Sequence, residues 1–114
     1  MTLETERARR IGQNEALFRR VNNAVEEIND ARGAEIDELR LVCECGQQSC
    51  IEQIQMSRGE YEALRHDATQ FAVKPGHEIA SVEQVSAMNE RYWTVEKHEG
   101  TPAQVARELD DRDS

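Results

Sequence analysis

No run in this 114-residue chain approaches the roughly 20 apolar residues that cross a bilayer. The opening stretch MTLETERARR also lacks the apolar segment of a secretory signal. The expectation is a cytoplasmic protein with no membrane segment. Aromatic side chains are scarce, being Phe18, Tyr61, Phe71, Tyr92 and Trp93 alone. With 38% hydrophobic and 32% charged residues the core must be modest, and in such a chain a cross-link or a bound metal is valuable. No long Gly, Ser or Pro stretch marks a boundary, so residues 1–114 are read as a single domain, with 109–114 as a frayed acidic tail.

Positive charge is also in short supply. Lys and Arg number 14 against 23 Asp and Glu, a formal net charge of −9, whereas binding to phosphates needs a positive footprint that releases counterions. A nucleic-acid partner is therefore not expected. Arg7, Arg9, Arg10, Arg19 and Arg20 are read as the solvated face of a long helix. Catalytic signatures are missing as well. There is no H-E-x-x-H, G-x-S-x-G or P-loop, and the H-x-E…P-C-x-x-C pattern of zinc deaminases is absent.

The elements that can be read give an α+β fold: a long N-terminal helix packed on a small, mostly antiparallel sheet, with one or two further helices, braced by a zinc site. From Thr5 to Ala31 no proline interrupts the chain, and Ile11, Phe18 and Val25 recur every seven residues with Val21 and Ile28 between them. This is one apolar stripe on a helix. It either packs on the sheet or forms a homodimer seam, in which Asn14 would set the register. Gly33 is placed to end the helix.

Leu39, Leu41, Cys43 and Cys45 fall on one face of a strand with period two, and Ile51, Ile54 and Met56 suggest its antiparallel partner. Ser57 and Glu60 have the spacing of a capping box that opens a helix to about Arg65, with Tyr61 and Leu64 inward. Phe71 to Glu78 reads as a short strand broken by the turn Pro75-Gly76. Residues 81–88 are ambiguous, because Ser81 and Gln84 could cap a short helix carrying Val82, Val85 and Met88. Tyr92–Glu96 is β-rich. Thr101 and Pro102 would start a last helix through Val105 and Leu109, with Thr101 as its cap.

All three cysteines lie in CECGQQSC, residues 43 to 50. In a reducing compartment, clustered thiols read as metal ligands or redox groups before disulfides. Residues i and i+2 of a strand project from one face, so Cys43 and Cys45 can grip one ion, while Glu44 points the other way; Gly46 permits the bend that returns Cys50. Zinc takes four ligands, and thiolates with a neutral imidazole are its usual structural set. His77, at the exit of the Pro75-Gly76 turn, is the favoured fourth ligand. His66 and the carboxylate of Glu78 are the alternatives, and a solvated turn residue is the plain reading of His77. His66 and His98 both have the setting of surface histidines.

The stretch LRLVCECGQQSCIEQIQMSRGEYEALRHDATQFAVKPGHE resembles a small family of uncharacterised actinobacterial zinc-binding-like proteins, in which a CECG-x3-C cluster precedes an EYE-containing helix and a PGHE turn follows. The upstream LFRRVNNAVEEIND is similar to the helix before that cluster. The resemblance covers about residues 17 to 78 and implies that Cys43, Cys45, Cys50 and His77 form one unit. It implies no activity.

These readings lead to a zinc-stabilised module for protein–protein interaction, regulatory in role and without catalysis of its own. The metal is structural Zn2+ on Cys43, Cys45, Cys50 and His77, and the partner is another protein. A thiol-based redox sensor using the same cysteines is the alternative. A metal-dependent hydrolase or deaminase would need an open site with Glu78 or Glu44 as proton shuttle.

Overall fold

The computed structural model describes residues 3–31, 38–47 and 49–110. It has an α+β fold whose elements run α1 (Leu3–Ala31), β1 (Glu38–Val42), β2 (Gln53–Ser57), α2 (Arg58–Arg65), β3 (Gln70–Val73), β4 (Glu83–Met88), β5 (Trp93–Lys97) and α3 (Thr101–Glu108). The strands form two sheets. β1 pairs with β2, and β3, β5 and β4 lie side by side in that order, every pairing antiparallel. Gly33, expected to end α1, lies outside the described residues, as do positions 111–114 of the tail.

The β1–β2 hairpin follows its alternation. Leu39 faces Met56 and Leu41 faces Ile54, and all four are buried. Each such side chain contributes about 1.5–3 kcal/mol by leaving water. Ser57 caps α2 as its spacing predicts: Glu60 N–H donates to Ser57 Oγ at 3.0 Å, and Ser57 N–H donates to the Glu60 carboxylate at 2.8 Å. Tyr61 and Leu64 turn inward and complete a core with the hairpin, Ala72 and Tyr92.

Helix α1 presents a different face from the expected stripe. Ile11 is buried, yet Val21 and Ile28 are 42% and 57% exposed, while Glu15, Arg19, Asn22, Asn23 and Glu26 are buried. The buried face is thus rotated by roughly a quarter of a turn from the apolar one. Glu15, Arg19, Asn22 and Asn23 each have a side-chain hydrogen bond to a specific partner, which is what makes their burial tolerable. Asn22 acts like a strand neighbour for β1, accepting from Val42 N–H and donating to Val42 C=O, both at 2.9 Å. Tyr61 donates to Asn23 Oδ1 at 2.5 Å.

Arg19 corrects the reading of the N-terminal arginines as a solvated face. Its guanidinium donates to the carbonyls of Ala68 (2.7 Å) and Ala106 (2.9 Å) and lies 4.8 Å over the Phe71 ring. It serves one loop carbonyl and one buried carbonyl at a helix end. Lys97 does similar work nearby, its ammonium donating to Glu15 and to Glu83 with all three side chains fully buried. Burial, and the neighbouring Glu83 carboxylate, push the Glu15 carboxyl well above its ordinary pKa.

Residues 83–88 form a strand, not the helix that was one reading of this segment. The reason is Glu83, whose inward carboxylate is held by Lys97 and by Ile79 N–H at 3.0 Å. The register slips between Val85 and Ala87, where Ser86 Oγ donates to Thr94 C=O, and Met88 is left 66% exposed at the strand end. In α3 the expected Thr101 cap is not used. Gly100, at φ 102°, precedes the first turn and no side chain caps it. Gly12 lets α3 come close, since a Cβ there would stand 2.8 Å from Val105 Cγ1.

Candidate metal centre

The chain leaves β1 at Val42, earlier than the strand through Cys45 that the alternation predicts, because it changes partners there. Cys43 N–H still bonds to Glu52 C=O in the hairpin (3.0 Å), whereas Glu44 N–H bonds to Ala72 C=O of β3 (2.9 Å). The segment is thus shared between the two sheets. Cys43 and Cys45 are buried in a core with Phe71, Val73 and Val95, next to the cluster that holds Leu39 and Leu41. Cys50 returns through a turn in which its N–H donates to Gln47 C=O at 3.0 Å.

Gly46 is needed for space, not for an unusual φ: a Cβ there would lie 2.4 Å from Ile11 Cγ2 on α1. This corrects the expectation that its conformational freedom makes the bend. Glu44 points away from the thiols, as expected, but into the protein, not to solvent. Its carboxylate accepts from Arg65 Nη2 (2.8 Å), Ala72 N–H (3.0 Å) and Asn22 Nδ2 (2.8 Å). With three donors committed to it, Glu44 is not placed to shuttle protons.

The fourth group arrives on the turn after β3. Pro75 and Gly76 occupy the centre of a type II turn, with Gly76 at φ 88° and His77 N–H donating to Lys74 C=O at 2.9 Å. Only glycine adopts that φ readily, so the sequence sets where the imidazole emerges. Nδ1 of His77 stands 3.6 Å from Sγ of Cys43 and 3.6 Å from Sγ of Cys50. A tetrahedron with metal–sulfur bonds of about 2.3 Å and a metal–nitrogen bond of about 2.0–2.1 Å has a sulfur–nitrogen edge of about 3.6 Å. The ligand atoms of Cys43, Cys45, Cys50 and His77 all lie within 4.8 Å of one another. A contraction of about 1 Å at the widest pair therefore closes the shell around a zinc-sized ion.

Crowding sets the electrostatics. Cys43 is the thiol most ready to ionise, lowered by a hydrogen bond from Cys45 and by the Lys74 amide, which donates to its sulfur at 3.1 Å. Cys45 is raised far above the ordinary thiol range, chiefly by the proton it shares with Cys43 and then by burial. Burial raises Cys50. Three thiolates at these separations repel one another, and a cation between them removes that cost. No disulfide joins the three cysteines.

The other ligand candidates stand apart from this cluster. His66 is exposed at the C-terminal cap of α2 and His98 is exposed after β5, so neither joins it. Glu78 lines a cavity of about 420 Å3 that opens beside the site, together with Gln47, Ser49, Cys50, Ile51 and His77, but is not part of the four-residue group. Two roles escaped the sequence reading. The Lys74 amide has no side-chain signal at all, and Glu44 reads in sequence as pointing away from the thiols or as shuttling protons, not as the tie to Arg65 and Ala72.

Three cysteines and a histidine are thus close enough to bind one metal ion. No helix among the described residues is long and apolar enough to cross a membrane. Comparison with protein-family models, curated proteins and solved structures gives no match to this chain.

Proposed function

We propose that Cys43, Cys45, Cys50 and His77 hold one structural zinc ion and that the chain is a cytoplasmic, regulatory protein-interaction module braced by it. The observation that carries the metal reading is the pair of 3.6 Å sulfur–nitrogen distances, which equal the edge of a zinc tetrahedron. Four protein ligands fill such a shell and leave no position for water or substrate, so the ion stabilises and does not catalyse. What it stabilises is the loop around residues 47–52, tied to the turn at 75–77. Ile51 on that loop is 91% exposed at the rim of the cavity. An isoleucine held so far into solvent by a cross-linked loop suits an apolar contact with another protein.

The test has two stages. Metal analysis of the purified chain should give one zinc per chain, lost in His77→Ala, and the cobalt-substituted protein should show a tetrahedral spectrum with thiolate charge-transfer bands. A five- or six-coordinate spectrum, or absence of bound metal, overturns the structural site. A protein partner recovered with the wild type should then be lost with Ile51→Asp while zinc is retained; a partner indifferent to Ile51 removes the docking reading.

A redox-sensor reading is favoured by one feature, the half-exposed Cys50 at the cavity wall. Peroxide would take two electrons from Cys50 and a buried neighbour, giving a disulfide and water and releasing the ion. Zinc retention with no disulfide under mild peroxide excludes it.

A further inference from the structure

The apolar residues that α1 does not bury are ordered. Leu17 (51% exposed), Val21 (42%) and Ile28 (57%) lie with exposed Ala24 at successive spacings of four, three and four residues. This is the a/d seam of a heptad, with Asn14, Val21 and Ile28 at a and Leu17, Ala24 and Ala31 at d. The buried face of the same helix, Glu15, Arg19, Asn22 and Glu26, is on the opposite side. Exposed Arg20 and Glu27 flank the seam at successive g positions, and among the described residues neither has an ion-pair partner.

We infer that this seam is the interface of a homodimer in which two α1 helices pack antiparallel. In an antiparallel pair a positions meet d positions of the other chain, and g positions meet g positions. Leu17 then packs against the partner's Ile28 and Val21 against the partner's Ala24, each contact occurring twice about the two-fold axis. The bulky layers lie outside and the small Ala24 layers at the centre, where the helices approach closest. The same register sets Arg20 beside the partner's Glu27, again twice, so these two exposed charges complement each other in sign.

A parallel pair loses both features. Arg20 would lie against the partner's Val25, and the paired Asn14 side chains that could fix a parallel register are already engaged, Asn14 Nδ2 donating to Gly46 C=O at 3.2 Å. The second copy thus fits in one orientation only. The inference does not depend on the metal, whose ligands come from other elements, so zinc content serves as an independent control.

Sedimentation equilibrium on the full chain, with zinc content and circular dichroism measured in parallel, should show a dimer in the micromolar range. Leu17→Glu should weaken it at least tenfold with fold and zinc unchanged. Arg20→Glu and Glu27→Arg should each be weakened, yet mixing the two variants should form a heterodimer tighter than either homodimer, because the two acidic g positions of one meet the two basic g positions of the other only when the helices run antiparallel. A chain that stays monomeric at a few hundred micromolar overturns the proposal. So does a dimer indifferent to Leu17→Glu, or one whose charge variants show no preference for each other.

Discussion

Glu44 holds Ala72 by two hydrogen bonds, its own N–H donating to the Ala72 carbonyl at 2.9 Å and its carboxylate accepting the Ala72 N–H at 3.0 Å. Ala72 lies in β3 and Glu44 follows β1, so one residue joins the two sheets. It does so between Cys43 and Cys45, which ties the placement of both thiols to this junction. The same carboxylate pairs with Arg65, whose side chain is only 2% exposed and which stacks near Tyr61 and Phe71. Replacing Glu44 by Ala leaves that guanidinium buried without its partner, a change that costs about 3–5 kcal/mol. Urea unfolding should show the loss, and Glu44→Gln, which keeps an acceptor for Ala72, should lose less. Equal stability of wild type and Glu44→Ala would mean that the junction does not hold the sheets.

A bound ion would add to this junction. It would connect the hairpin side, through Cys43, Cys45 and Cys50, with His77 beyond β3, and it would bind the folded chain far better than the unfolded one. Free metal at a thousandfold its dissociation constant stabilises the folded state by about 4 kcal/mol. Thermal unfolding should therefore shift to lower temperature when a strong chelator is added, and the shift should reverse with zinc. Cys45→Ser should unfold at the chelated temperature whether zinc is present or not. Identical melting of the wild type with and without chelator would count against a structural ion.

The hairpin and the four candidate ligands were legible because short-range rules decide them. Leu39, Leu41, Cys43 and Cys45 alternate, Ser57 and Glu60 have capping spacing, and Pro75-Gly76 admits few turns. The face of α1 was not legible, since an apolar count favours Val21 and Ile28 over Arg19 and Glu15. What reverses that choice is a set of carbonyls and charges from distant segments, Ala68, Ala106, Glu83 and Lys97, waiting for polar partners. The β4 strand was ambiguous for the same reason. Its anchor, Glu83, is an inward carboxylate whose cation comes from β5.

Gly46 separates the cysteine loop from α1 by less than a methyl group. A Cβ would come within 2.4 Å of Ile11 Cγ2 and 3.2 Å of Ile79 Cδ1, both branched side chains in a small apolar cluster with little room to move. Gly46→Ala should cost about 1–3 kcal/mol, as overpacked sites do. Pairing it with Ile11→Val, which removes one methyl, should recover part of the loss. If Gly46→Ala is neutral in urea unfolding, the loop has freedom that this packing denies.

Acid should weaken the fold through Glu60. Hydrogen bonds from Arg91, first, and from the Ser57 amide and Tyr92 hydroxyl depress its carboxyl from 4.5 to about 2. A carboxylate held below its unfolded value binds fewer protons when folded, so the stability it lends is present above about pH 4.5 and drains away as pH falls toward 2. Part of the group is solvated, its side chain being 33% exposed, which tempers the size of the effect. Glu60→Gln has no proton to gain over that range and should unfold with a shallower dependence on pH between 4.5 and 2, while being less stable at neutral pH because the Arg91 pair is gone. Arg91→Met should flatten the same limb, since it removes the largest cause of the shift. Parallel acid limbs for all three proteins would show that Glu60 titrates alike folded and unfolded, and that other carboxylates set the acid stability of the chain.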